Sequence, residues 1–184
     1  METTQTTKTV VKLGGLGGQG VLTAALLLAQ AGMNTFKHVT WFPSYSAAMR
    51  GGEVDCTVVL SHKGINSPII SRPEIVVAMS LFSLDQLEEK VAEGGMLFLD
   101  SSVIKRETKR DDLKIFKIPA SDLAVKLGSH QASNLILLGA LSKATEILPL
   151  EDIKVELDKK LEEEGKESLI PLNRQALERG ASLI

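Results

Sequence analysis

Val10-Val11-Lys12-Leu13-Gly14-Gly15-Leu16-Gly17-Gly18-Gln19-Gly20-Val21-Leu22-Thr23-Ala24-Ala25-Leu26-Leu27-Leu28-Ala29 decides the fold. An apolar strand runs into a glycine turn, and the turn opens a helix, which leaves backbone N–H groups free at the helix N-terminus. Gly15, Gly17 and Gly20 fit the G-x-G-x-x-G spacing of dinucleotide-binding turns. In this reading Gly15 and Gly17 supply turn conformations and Gly20 a close helix–strand contact. The N–H groups around Gly18 to Val21 suit a phosphate or carboxylate. Gln19 can hydrogen-bond a ligand or a neighbouring backbone group. A tight strand–helix turn without a ligand is the plain structural alternative. A dinucleotide site also wants an acidic side chain about 20 residues on, to hold the ribose hydroxyls. That region reads Phe36-Lys37-His38-Val39-Thr40-Trp41-Phe42, and no Asp or Glu follows until Glu53.

Outward from the turn, strand and helix patterns alternate. The first helix runs to about Ala31, and only Thr23 and Gln30 interrupt its apolar surface. A helix without a polar face is buried on more than one side, so its second side is expected to pack on another subunit or domain. Strands are expected at 36–42, 55–61, 74–79, 96–100 and 114–118, with an irregular stretch from Pro43 and a loop at Ser46 to Gly52. Helices are expected at 83–93 with Ser83 as cap, from Pro119 to about Leu127, at 133–144, at 151–163, and at 172–181 with an interruption at Gly180. Glu162-Glu163-Glu164 reads as a solvated helix end. This alternation predicts one α/β, Rossmann-like domain over residues 1–184, with a mainly parallel sheet covered by helices on both faces. Residues 1–8 read as a flexible N-terminus.

Composition narrows the function. The 184 residues carry 21 Lys and Arg against 23 Asp and Glu, which gives no footprint for nucleic acid or an anionic membrane. Aromatics are only 4%, too few for a base-stacking surface. The polar N-terminus lacks a signal-peptide core, and no apolar run spans a bilayer, so a cytoplasmic protein is expected. A single cysteine, Cys56, forms no internal disulfide and cannot by itself hold an iron–sulfur cluster. It reads as a small buried hydrophobe on a strand.

Arg50-Gly51-Gly52 is the second constellation. It sets a fork-shaped cation beside an approachable backbone, fit for an anion or an inter-subunit ion pair. A solvated loop arginine, paired locally with Glu53 or Asp55, is the plain alternative. His38, His62 and His130 share no metal-ligand spacing, Ser129-His130 lacks a nucleophile elbow, and no Walker A motif is present. The sequence holds no complete catalytic apparatus.

Gly15-Leu16-Gly17-Gly18-Gln19-Gly20-Val21, Arg50-Gly51-Gly52, and Ser61 with Ile65-Asn66-Ser67-Pro68 together resemble the gamma subunit of the 2-oxoacid:ferredoxin oxidoreductases. Pro73-Glu74, Asn134 with Leu138-Gly139-Ala140-Leu141, and Asn173, Gln175, Ala176 and Gly180 extend the likeness over about residues 8–181. The resemblance implies a Rossmann-like partner of alpha, beta and delta parts. The assembled enzyme decarboxylates a 2-oxoacid oxidatively, yields acyl-CoA and CO₂, and passes electrons to ferredoxin. Thiamine diphosphate with Mg and the iron–sulfur clusters are then expected on or between the other parts. Gly15, Gly17, Gly18, Gln19, Gly20 and Arg50 are expected to contribute to an interface or a CoA channel. No catalytic residue and no metal ligand is expected on this chain, and the isolated chain is expected to be inactive and able to form a homodimer. A stand-alone nucleotide-binding protein using the same turn is the alternative.

Overall fold

The computed structural model describes residues 8–45 and 52–184. The expectations for residues 1–7, for most of the 46–52 loop and for Arg50 lie outside the described residues. Six strands form one sheet: β1 Lys8–Leu16, β2 His38–Tyr45, β3 Glu53–Ser61, β4 Ile75–Ala78, β5 Met96–Asp100 and β6 Lys114–Ile118. Their order across the sheet is β2-β3-β1-β4-β5-β6. The helices are α1 Val21–Gly32, α2 Leu81–Leu87, α3 Ala120–Lys126, α4 Ser133–Thr145, α5 Leu150–Glu163 and α6 Ile170–Ala181.

β1, β4, β5 and β6 run parallel, whereas β3 is antiparallel to both β1 and β2. The sheet is therefore mixed, with a reversed strand wedged between β1 and β2. Chain length explains it: only residues 46–52 join β2 to β3, and a parallel crossover needs about a dozen residues or more. β2 continues through Pro43 to Tyr45, where the sequence suggested that the strand had already ended. As an edge strand it has no inner ladder for a proline to interrupt on its outer side.

Residues alternate between the two faces. Leu13, Cys56, Val58, Leu60, Val77 and Phe98 pack in the core that α1, α4, α5 and α6 cover. Val76, Ala78, Leu97 and Leu99 pack on the opposite side against Leu84 and Leu87 of α2. α2 is capped by Ser80, whose hydroxyl accepts from the Ser83 N–H while Ser83 returns a bond to the Ser80 N–H. Ser83 thus closes a capping box from inside the first turn, instead of serving as the cap itself. Asp100, at the end of β5 and 1% exposed, accepts from the Ser121 N–H at 3.1 Å and so holds the start of α3.

The expectation that α1 shows its second side to another subunit is overturned. α5 and α4 of the same chain pack on it, and Leu27 and Leu28 are both fully buried within the chain. Gly180 does not interrupt α6 either. It lies inside that helix, and a Cβ added there would fall 1.8 Å from the Ile136 carbonyl oxygen of α4. Gly139 of α4 is the reciprocal case, 2.0 Å from the Leu177 carbonyl oxygen. Two glycines bring the backbones of α4 and α6 into direct contact, and α6 also packs on α5.

Candidate functional site: the glycine turn and the cleft beside α1

β1 extends through Gly14, Gly15 and Leu16, paired with Asp55, Val54 and Glu53 of β3. Gly15 is therefore a strand residue. Its missing side chain makes room for packing, since a Cβ would meet Gln19 Oε1 at 2.6 Å and Val21 at 2.8 Å. The turn itself is shorter than the sequence pattern suggested. Its left-handed residues are Gly18 (φ 99°) and Gly20 (φ 75°), and Gly17 is not among them. Gly17 donates its N–H to the Gly52 carbonyl at 2.9 Å, joining the turn to the start of β3.

Both ends of the Gln19 carboxamide are engaged inside the chain. Oε1 accepts from the Leu16 N–H at 2.7 Å, and Nε2 donates to the Met79 carbonyl at 2.9 Å. Asn134 of α4 donates from Nδ2 to the Gly20 carbonyl at 3.0 Å. The helical ladder of α1 begins with the Ala24 N–H on that same carbonyl, at 3.0 Å. The N–H groups of Val21, Leu22 and Thr23 precede it, as in any first turn.

Gly17, Gly18 and Gly20, with Val21, Leu22 and Thr23, form one wall of a cleft of about 1120 Å³. The opposite walls come from α5 and from the connection into α6. Leu157, Leu161, Leu169 and Leu172 give the cleft an apolar body, and Ser129, Gln131, Asn134 and Asn173 are its polar lining. At the mouth, Lys160, Glu164 and Lys166 form a chain of charges. Lys160 pairs with Glu164, and Lys166 reaches the other Glu164 oxygen at 2.8 Å. The Lys160 hydrogen bond, with Lys166 second, holds the Glu164 carboxyl down at about 2. Glu164 was read from the sequence as part of a solvated helix end, and it is exposed; its two lysine partners, both on the cleft wall, are what that reading missed. Glu53 adds a second carboxylate to the lining, so the charged side chains there balance. Among the described residues, the helix end alone is left to favour an anion there.

Of the residues picked out from the sequence, Gly17, Gly18 and Gly20 line this cleft, while Gly15 and Gln19 stand behind it. Arg50 lies outside the described residues. Asp55 pairs with Lys12 at 2.7 Å. Cys56 is buried in the core, and burial is the main cause that pushes its thiol up to about 12. His62 stacks on Phe36 with ring centroids 4.7 Å apart, far in role from any ligand set. Lys160 and Lys166 had no sequence signal, because helix-surface lysines are common and only the fold turns these two toward the glycine turn. Asn134 and Asn173 were visible only through the family resemblance.

The reversed β3 bears on the nucleotide question. In a dinucleotide fold the strand after the first helix lies beside β1 and carries the ribose-binding acid at its end. Here β3 separates β2 from β1, which moves that position outward by a further strand spacing of about 4.8 Å. No acid stands at the end of β2; the place beside the turn is taken by Glu53 at the start of β3, paired with Leu16.

The fold and site thus define a Rossmann-like α/β domain whose glycine turn faces a mostly apolar cleft. Residues 10–183 match the family described as pyruvate ferredoxin/flavodoxin oxidoreductase, and the chain belongs to that family. It is 35% identical over 171 residues to ketoisovalerate oxidoreductase subunit VorA of Methanothermobacter thermautotrophicus, covering 93% of this chain and 35% of the relative. It is 30% identical over 149 residues to 2-oxoglutarate synthase subunit KorC of Methanocaldococcus jannaschii, covering 78% of this chain and 79% of the relative. The chain therefore spans about a third of the length of the ketoisovalerate relative and most of the length of the KorC subunit. Among solved structures it is similar to the 2-oxoglutarate:ferredoxin oxidoreductase of Magnetococcus marinus, with 2-oxoglutarate, coenzyme A and succinyl-CoA bound. The TM-score is 0.85 at 21% identity, over 97% of this chain and 32% of that one. This last likeness, at 21% identity, is one of fold. Among the described residues no helix is long and apolar enough to cross a membrane.

Proposed function

We propose that this chain is the gamma-type component of a multi-subunit 2-oxoacid:ferredoxin oxidoreductase. In that assembly a 2-oxoacid is decarboxylated oxidatively, acyl-CoA and CO₂ are formed, and electrons pass to ferredoxin. Thiamine diphosphate with Mg, and the iron–sulfur clusters, belong to the alpha, beta and delta parts. This chain supplies docking surface and one wall of the path taken by CoA. It covers 79% of KorC, named as a subunit, and about a third of VorA and of the Magnetococcus chain.

The observation that carries the reading is the cleft beside α1. Its shape and chemistry suit CoA: a first turn of N–H groups for a phosphate at one end, and a leucine-lined body for the long uncharged arm. Arg50, in the sequence that leads into β3, is the side chain we assign to an anion or a partner chain.

The test fills the cleft. Thr23 lies on its wall, so Thr23→Trp in the complex isolated with its partner subunits is expected to raise the CoA KM by about tenfold or more, with the KM for the 2-oxoacid unchanged. An unchanged CoA KM in an intact, active complex would remove CoA from this cleft. Arg50→Ala separates the two roles of that residue, since lost assembly marks docking and a raised CoA KM in an assembled complex marks the channel.

A further inference from the structure

The geometry points to Gln19 and Asn134 as a pair of positioning residues that set the open first turn of α1, Gln19 from behind the cleft and Asn134 from its lining. This rests on the reading of the cleft given above and adds to it which residues hold the turn. Gln19 does not line the cleft, although it sits between Gly18 and Gly20, which do. Its carboxamide bridges the Leu16 N–H, at the entry of the turn, and the Met79 carbonyl, just beyond β4. Each end of that amide spends one of its two hydrogen-bonding capacities inside the chain.

Asn134 holds the exit of the turn and, unlike Gln19, also lines the cleft. It is 5% exposed, donates to the Gly20 carbonyl at 3.0 Å and accepts from the Leu135 N–H at 2.9 Å. The glycines record how close these amides come. A Cβ on Gly15 would lie 2.6 Å from Gln19 Oε1, and one on Gly20 would lie 2.4 Å from Asn134 Nδ2. The G-x-G-x-x-G spacing here therefore admits two carboxamides as well as a ligand backbone approach. The Gly20 carbonyl also accepts the first helical bond from Ala24. Moving it re-aims the N–H groups of Val21 to Thr23 toward or away from the cleft, and small misplacement of binding groups is costly.

The experiment measures steady-state kinetics of the complex isolated with its partners, carrying Gln19→Met, Asn134→Asp or, as a reference, Thr23→Trp. Gln19→Met removes both bonds at similar side-chain length, and Asn134→Asp removes the donor to Gly20 while keeping an acceptor for Leu135. Both are expected to raise the CoA KM about tenfold, with kcat at saturating CoA and the 2-oxoacid KM within about twofold. If Gln19→Met fails to assemble, Gln19→Glu takes its place, since it keeps the bond to Leu16. A raised CoA KM in Thr23→Trp but not in the two carboxamide variants overturns the positioning role and leaves the cleft reading standing. No change in any of the three overturns both. Parallel losses in kcat, both KM values and melting temperature mark a merely structural role and also overturn the proposal.

Discussion

Gly18 and Gly20 share the left-handed region of backbone space, with φ of 99° and 75°, yet they are not equivalent. Nothing lies within 4 Å of a Cβ built on Gly18, whereas one on Gly20 strikes Asn134. Gly18→Ala is expected to cost only the left-handed strain of about 1–2 kcal/mol. Gly20→Ala is expected to cost roughly 1–3 kcal/mol more from overpacking, read as the difference in urea midpoints. Equal losses would refute the assigned contact. The sequence pattern located the turn but put its strain on Gly15 and Gly17. A spacing of glycines carries no φ, and Asn134 approaches from 114 positions away. Cys56 behaved as composition suggested, a buried strand residue. Its thiol should resist alkylation at pH 8 in the folded chain and react after denaturation. Because its folded pKa is raised from 9.0 to about 12, the unfolded thiol ionises first. Its contribution to stability is therefore whole below pH 9 and is lost as pH climbs toward about 12. Rapid native alkylation at pH 8 would contradict this burial.

Two elements show where periodicity stops being informative. The all-apolar surface of α1 correctly signalled burial on two sides, but nothing in a helical pattern says which partner does the covering. Here α4 and α5 do so. Leu28→Asp should therefore unfold the isolated chain, measured by circular dichroism, because an unpaired charge would sit at a fully buried position. A folded monomer that merely fails to assemble would restore the inter-subunit explanation. The α4–α6 crossing was equally hidden. Gly139 looked like a motif residue and Gly180 like a helix breaker, and only the crossing gives both the same task. Gly139→Ala should lower stability by roughly 1–3 kcal/mol or more, since the carbonyl it meets belongs to backbone and cannot swing aside. A neutral substitution would mean that the helices sit farther apart than described. The β2–β3 reversal, by contrast, was legible in principle from the short connection between them.

At the scale of the molecule, alternating strands and helices sufficed for the α/β class, and five of the six strands lay close to where apolar runs placed them. The candidate cleft was only half legible: one wall is the glycine turn, but the other is built by α5, which packs on α1, and by the connection into α6, which α4 and α5 hold, all more than 110 residues further along the chain. What the architecture offers is a domain with an open cleft beside its glycine turn, in a family whose members include the subunits VorA and KorC. The most direct measurement is to recover the tagged chain from its native extract, identify what comes with it, and assay 2-oxoacid- and CoA-dependent ferredoxin reduction beside the pure chain. The account predicts co-purifying chains that carry thiamine diphosphate and iron–sulfur clusters, activity in that assembly, and none in the pure chain. Turnover of a 2-oxoacid or a nicotinamide by the pure chain, or recovery of an unpartnered protein, would contradict it.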